Sequence, residues 1–134
     1  MIELAIAEAK KATKHGEVPI GAVIVRGGAV IAKAYNLREK KQNAIYHAET
    51  LAIMRACKKL KSWRLDDCEM YVTLEPCMMC MGAITNARLR AVYFGAASNS
   101  NLNWKAEVKN LENEECSKML KDFFGRQRTL AKKQ

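Results

Sequence analysis

At 134 residues, with 49% hydrophobic and 28% charged side chains, the chain has ordinary globular composition and the length of one domain, which excludes a disordered or fibrous protein. No apolar run approaches the ~20 residues that span a bilayer, and the opening "MIELAIAEAKKATKHGE" lacks the apolar core and small-residue cleavage site of a secretory signal. Twenty-three Lys and Arg against fourteen Asp and Glu leave a charge of +9, which suits a polyanionic partner and equally a basic surface that is merely well solvated.

Ile2, Ala5, Ile6, Ala9 and Ala12 recur at helical spacing, and "HGE" closes that first helix near residue 16. "PIGAVIVR" and "AVIAKAYN" are β-branched runs on either side of Gly27-Gly28, the signal of a two-residue hairpin. A polar loop, "LREKKQNAIY", leads into a second helix, "HAETLAIMRACKKL". The strand "EMYVTL", a helix opening at Pro76-Cys77 and the strand "RAVYFGA" come next. "SNSNLN" reads as a loop, "AEVKN" as a short strand, and a last helix runs from about Glu112 past Phe124. This order predicts a single domain over residues 1–134, a three-layer α/β/α arrangement around a mixed sheet of about five strands. The two strands flanking the Cys77 helix are expected to be parallel.

Five cysteines are an odd number in a chain able to build its own core, so a secreted disulfide framework is not expected and a reducing, cytoplasmic setting is. There the pair in "LEPCMMC" points to metal or redox chemistry. With Pro76 at the first helical position, Cys77 and Cys80 lie roughly 300° apart around the axis and about 4.5 Å along it, on one face of the first turn. That separation fits two thiolates on one tetrahedral zinc, and the helix N-terminus is expected to favour the thiolate form. A thioredoxin-like dithiol uses the same spacing, so the pair alone leaves both chemistries open.

The histidines narrow the choice. His15 sits at the polar end of the first helix and reads as a solvated side chain or a helix C-terminal cation. His47 opens "HAE", where a loop gives way to a helix, with Glu49 two residues on. Inside a helix the two side chains would point about 200° apart. They can serve one site only if the helix begins at His47, as the polar loop before it suggests. Two helix N-termini would then bring His47, Cys77 and Cys80 to a single ion. Cys57 lies about 15 Å along the helix from His47, too far to join them; Cys68 and Cys116 read as packing residues. Three ligands without a fourth leave a position for water, the arrangement of catalytic rather than structural zinc, with Glu49 as the acid/base.

"HAE" followed by "PCMMC" is the H-x-E…P-C-x-x-C signature of the zinc nucleobase deaminases. Together with "EVPIGAVIV", Asn36, "WRLDDCEMYVTLEPCMMCMGAI", "VYFGA" and the basic end "MLKDFFGRQR", it makes most of the chain resemble the bacterial tRNA-specific adenosine deaminases of the cytidine deaminase-like superfamily. The resemblance implies a cytidine deaminase-like fold, one Zn2+ per chain, and hydrolytic conversion of adenosine to inosine at the wobble position of a tRNA anticodon. It implies that water activated at zinc attacks C6 of the base while Glu49 moves the proton to N1 and then to the departing ammonia. By matching positions, Asn36 would hydrogen-bond the purine edge, and Val18 with the backbone of Ala48 would line the base pocket. Read without the family, Asn36 caps a turn and Val18 is an apolar wall. Phe123 and Phe124 with Arg126 and Arg128 resemble the RNA-facing end, where aromatic faces stack on bases and cations hold phosphate; Lys132 and Lys133 extend the basic surface expected to meet phosphate. By pattern alone the phenylalanines are core and the arginines solvated. Family members are homodimers, and the Met-rich "CMMCMGAI" suits an apolar contact surface or core packing equally.

The chain departs from the family pattern in two places. Ser98 stands where the family has an acidic residue, in a segment that is shortened, and Tyr46 stands where a small residue is common. A small-molecule nucleobase or nucleoside deaminase is the competing function; a zinc-stabilised binding module leaves Glu49 unexplained, and a dithiol oxidoreductase leaves both His47 and Glu49 unexplained.

Overall fold

The computed structural model describes residues 1–98 and 106–133. In chain order the elements are α1 (Ile2–Thr13), β1 (Gly21–Arg26), β2 (Ala29–Tyr35), α2 (Ala48–Leu60), β3 (Cys68–Leu74), α3 (Met78–Asn86), β4 (Ala91–Ala96), β5 (Glu107–Asn110) and α4 (Glu114–Lys133). The expected elements are all present among the described residues, including the short strand in "AEVKN"; the greater part of "SNSNLN" lies outside them.

Among the described residues five strands form one mixed sheet in the order β2-β1-β3-β4-β5. β1 runs antiparallel to β2 and β3, whereas β3, β4 and β5 are parallel, so the strands on either side of the Cys77 helix pair as expected. Gly27 and Gly28 both have positive φ, at 56° and 81°, the backbone of a two-residue hairpin turn. Gly21 answers a different demand. A Cβ there would sit 2.1 Å from the Ala5 carbonyl oxygen, so only glycine lets α1 lie directly on the start of β1.

β1 is buried from Gly21 to Val25 because helices cover both faces of the sheet. Ala22 and Ile24 face a core shared with α2 and α3, built from Leu51, Ala52, Met70, Val72, Met81 and Ile84 among others. Val23 faces the opposite core, which Ile2, Ala5 and Ile6 of α1 share with Cys116 and Leu120 of α4. The alternation along one strand therefore separates the two helical layers.

Two boundaries differ from the sequence reading. α1 stops at Thr13, and Glu17 N–H turns back to the Ala12 carbonyl. α4 begins at Glu114 because Glu112 has a positive φ of 50° and Asn113 takes over the helix start, its Oδ1 accepting the Cys116 N–H at 3.0 Å.

The topology places the site. Gly21 pairs with Tyr35, Ala22 with Val72 and Leu74 with Ala96. The start of β1 and the ends of β2, β3 and β4 thus share one edge of the sheet. Every segment expected to carry chemistry enters or leaves there.

Candidate active site

α2 and α3 begin in the same way. His47 is the N-cap of α2, in extended backbone at φ −78° and ψ 160°, and Cys77 is the N-cap of α3 at φ −72° and ψ 174°. Their carbonyls accept the first intrahelical bonds, from Leu51 N–H at 3.0 Å and Met81 N–H at 2.9 Å. An N-cap side chain ordinarily turns back onto a free helical N–H. Neither does so here. Both side chains point outward, to one another.

This corrects the expectation for Pro76, which is buried one residue before the N-cap and not at the first helical position. Cys80 becomes the third helical residue, and the conclusion drawn from the spacing is unchanged. His47 Nδ1 lies 3.7 Å from Cys77 Sγ and 3.5 Å from Cys80 Sγ. The three donor atoms fall within 4.8 Å of one another, the one such cluster among the described residues. His47 is half-buried, Cys77 exposed and Cys80 fully buried, so one side of the cluster stays open to an approaching molecule.

The non-helical backbone at His47 also lets Glu49 converge. Glu49 is buried, and its Oε1 has no hydrogen-bond partner among the described residues. Burial pushes its carboxyl up to about 7, against smaller opposing effects of its own backbone N–H and the Cys80 thiol. Burial and the charge of Arg38 lower the His47 imidazole, which favours the neutral ring with one nitrogen free to bind a metal. At Cys80 the expected thiolate preference is reversed: burial raises its thiol strongly, with Glu49 and Cys77 adding to the effect. A bound cation inverts that balance, because it removes the proton from a coordinating thiol. The donor set of one imidazole and two sulfurs, beside an orphaned buried carboxyl oxygen, fits zinc.

The other cysteines stay out of the cluster. Cys68 and Cys116 are buried in the two cores, and Cys57 is half-buried on α2. His15 is exposed just past α1, its ring parallel to that of Tyr35 at 6.1 Å.

Around the cluster stand the other expected residues. Asn36 is buried at the end of β2; its Oδ1 accepts the Arg38 N–H at 3.1 Å and its Nδ2 reaches the Val18 carbonyl at 3.5 Å. It caps a turn and ties the half-buried Val18 to that turn. Ala48 is buried in the first turn of α2, where backbone N–H groups have no intrahelical acceptor. Ser98 donates twice to Glu75 Oε1, its N–H at 2.9 Å and its hydroxyl at 3.3 Å. Tyr46 packs against the α2–α3 core.

The aromatic pair on α4 divides. Phe123 is buried, whereas Phe124 is 44% exposed and meets it edge to face at 5.4 Å. Arg126 and Arg128 are exposed. The side chains of Lys132 and Lys133 lie outside the described residues.

Sequence reasoning gave no role to Glu17. It is buried to 1% exposure, and its two carboxyl oxygens accept the backbone N–H groups of Glu39 and Lys40 at 3.0 and 2.6 Å. An acidic residue wedged between a helix end and an apolar strand was the available signal.

Comparison with known proteins agrees with this geometry. The profile of the MafB19-like deaminase family matches residues 1–128. The tRNA-specific adenosine deaminase of Bacillus subtilis is 48% identical over 90% of this chain and 84% of its own length. A solved structure from work on A-to-I editing by tRNA:A34 deaminases superposes with a TM-score of 0.82 at 36% identity, covering 89% of this chain and 97% of that one. The Bacillus subtilis guanine deaminase structure gives 0.68 at 42% identity, covering 72% of this chain and 62% of its own. With the His47–Cys77–Cys80 cluster, the buried Glu49 and these relatives, the chain belongs to the tRNA-specific adenosine deaminases of the MafB19-like deaminase family.

Proposed function

We propose that this chain is a single-domain hydrolytic deaminase that converts adenosine to inosine at the wobble position of a tRNA anticodon. The observation that carries the reading is the donor cluster with an unpartnered, buried carboxyl oxygen beside it. His47, Cys77 and Cys80 would hold one Zn2+. When bound there, zinc supplies a Lewis acid that brings the pKa of water from about 15.7 down to about 7.

Glu49 is the proton carrier. A carboxyl raised to about 7 both takes and gives protons near neutrality. It accepts one proton from the attacking water and delivers it to N1 of the purine. It then carries the proton of the hydroxyl added at C6 to the amino group, which leaves as ammonia as the C6–N bond breaks and C6=O forms. Val18 and the backbone of Ala48 line the pocket for the base, with Asn36 facing the purine edge. A base reaches a buried carboxyl only when it is out of the stack, and an anticodon loop already offers unpaired bases. Phe124, whose ring meets the buried Phe123 edge to face, stacks on a loop base, while Arg126 and Arg128 hold phosphate.

The reading includes a cytoplasmic homodimer. Exposed Met78 and Met79 at the start of α3, with Met54 on α2, are the apolar surface that supports it. Among the described residues no helix is long and apolar enough to cross a membrane.

The likeness to a guanine deaminase favours a second reading, action on a free nucleobase. The charge of +9 favours RNA. Mass analysis of an anticodon stem-loop carrying a wobble adenosine, incubated in parallel with free adenosine, cytidine and guanine, decides between them. A one-unit mass gain in the stem-loop is expected; turnover of a free base alone would overturn the RNA reading.

A further inference from the structure

Between β2 and α2 the chain makes an excursion from Asn36 to His47 whose own hydrogen bonds close it into one unit. Leu37 N–H bonds the Tyr46 carbonyl at 3.0 Å, Asn43 N–H the Arg38 carbonyl at 3.0 Å and Lys41 N–H the Leu37 carbonyl at 2.9 Å. At its far end, the Thr50 hydroxyl donates to the Ile45 and His47 carbonyls. One end of the excursion is the expected purine reader, the other a metal-cluster donor.

Its middle is mostly surface. Arg38, Glu39, Lys40, Lys41 and Gln42 are exposed side chains. Yet the backbone N–H groups of Glu39 and Lys40 point inward, to the carboxyl oxygens of Glu17, which is almost completely buried. A buried carboxyl is costly unless it is satisfied. Directed at two amides in the exposed middle of the loop, it ties that middle to the α1–β1 connection. The same connection supplies Val18, and its Ile20 carbonyl accepts the Asn36 N–H at 3.1 Å.

We propose that Glu17 is a positioning residue of the active site: through Glu39 and Lys40 it sets the 36–47 excursion, and with it Asn36, at a fixed distance from the donor cluster. This rests on the deaminase reading above. Glu17 touches no reacting atom. Its effect passes through the geometry of Asn36, where displacement by about 1 Å is enough to slow a reaction roughly a hundredfold.

The test uses Glu17→Gln, close in volume, in which one oxygen becomes an NH2 that cannot accept an N–H. Three readouts separate positioning from general stability. Hydrogen exchange at the Glu39 and Lys40 amides should rise at least tenfold while core strands keep their protection and the chain keeps one zinc. On the anticodon stem-loop kcat should fall roughly ten- to a hundredfold with KM little changed. In combination with Asn36→Ala, the Gln substitution should add almost nothing, since both act on one contact. Unchanged exchange at the two amides would show that Glu17 does not hold the loop. Faster exchange with kcat within twofold of the parent, or effects that multiply with Asn36→Ala, would make Glu17 purely structural. If the stem-loop is not a substrate, the same series is read on the free base that is turned over. Failure of the RNA reading is thereby kept apart from failure of this one.

Discussion

The paired starts of α2 and α3 and the far half of α4 are both offered as functional surfaces, and they are built on opposite terms. At the helix starts, Cys80 and Glu49 are buried, the backbone is pinned by the first intrahelical bonds, and the donor atoms converge to within 4.8 Å. On α4, Phe124, Arg126 and Arg128 project from a single helix, exposed, with Phe123 the anchored member. A proton moves only between groups in fixed register, so the chemical site tolerates almost no play. Phosphate can be held by any cation within reach of it, in many orientations. Substitutions in the first region should therefore act as switches, and in the second as graded weights.

The sharpest way to break this contrast is Cys80→Ser. It should abolish zinc binding and deamination together, because two donors cannot hold the ion in a site meant for three. Metal analysis that still finds one zinc per chain would remove the cluster from the mechanism. Chelation of the parent should produce the same loss, reversible on adding zinc.

Next in size is Glu49→Ala. With the proton carrier gone, kcat should drop about 10²- to 10⁴-fold while metal content is retained. The metal-free variant should melt no lower than the metal-free parent, because a buried carboxyl with one unpartnered oxygen has been removed. Activity within tenfold of the parent would mean that another group moves the proton.

Phe124→Ala should be milder. Loss of one stacked base amounts to about 1–3 kcal/mol, so affinity for the stem-loop falls roughly five- to 150-fold with kcat on bound RNA nearly intact. A collapse of kcat would show that α4 belongs with the chemical region after all. Phe123→Ala serves as the contrast, since its buried ring should cost stability first.

The smallest effect is Arg126→Ala with Arg128→Ala. Each single-strand phosphate contact contributes a log–log salt slope of roughly −0.7, so the double variant should flatten the slope by about 1.4 and leave zinc in place. A slope that does not change would take these two arginines off the RNA path.

Local chemistry made much of this molecule legible in its sequence. The Gly27-Gly28 hairpin, the alternation of β1 and the strand–helix–strand around Cys77 each follow from residues close together in the chain, where backbone preference and side-chain periodicity decide. So did the donor set, since "HAE" and "PCMMC" can share an ion only if both are helix starts, and both are. Even there local preference does not decide alone: Pro76 suits a first helical position, yet the cap falls on Cys77, whose side chain faces His47.

What the tertiary structure alone decided are relations between residues far apart. That the Cys80 thiol is raised without a cation follows from its burial, with Glu49 and Cys77 adding to the effect. Which of two adjacent phenylalanines faces outward depended on how α4 lies on its neighbours, since both satisfy the same apolar pattern. Glu17 finds its partners 22 and 23 residues away, on amides whose own side chains are exposed. No periodicity records such a contact. Backbone amides look alike in every sequence, and only the folded chain shows which of them a buried acid can reach.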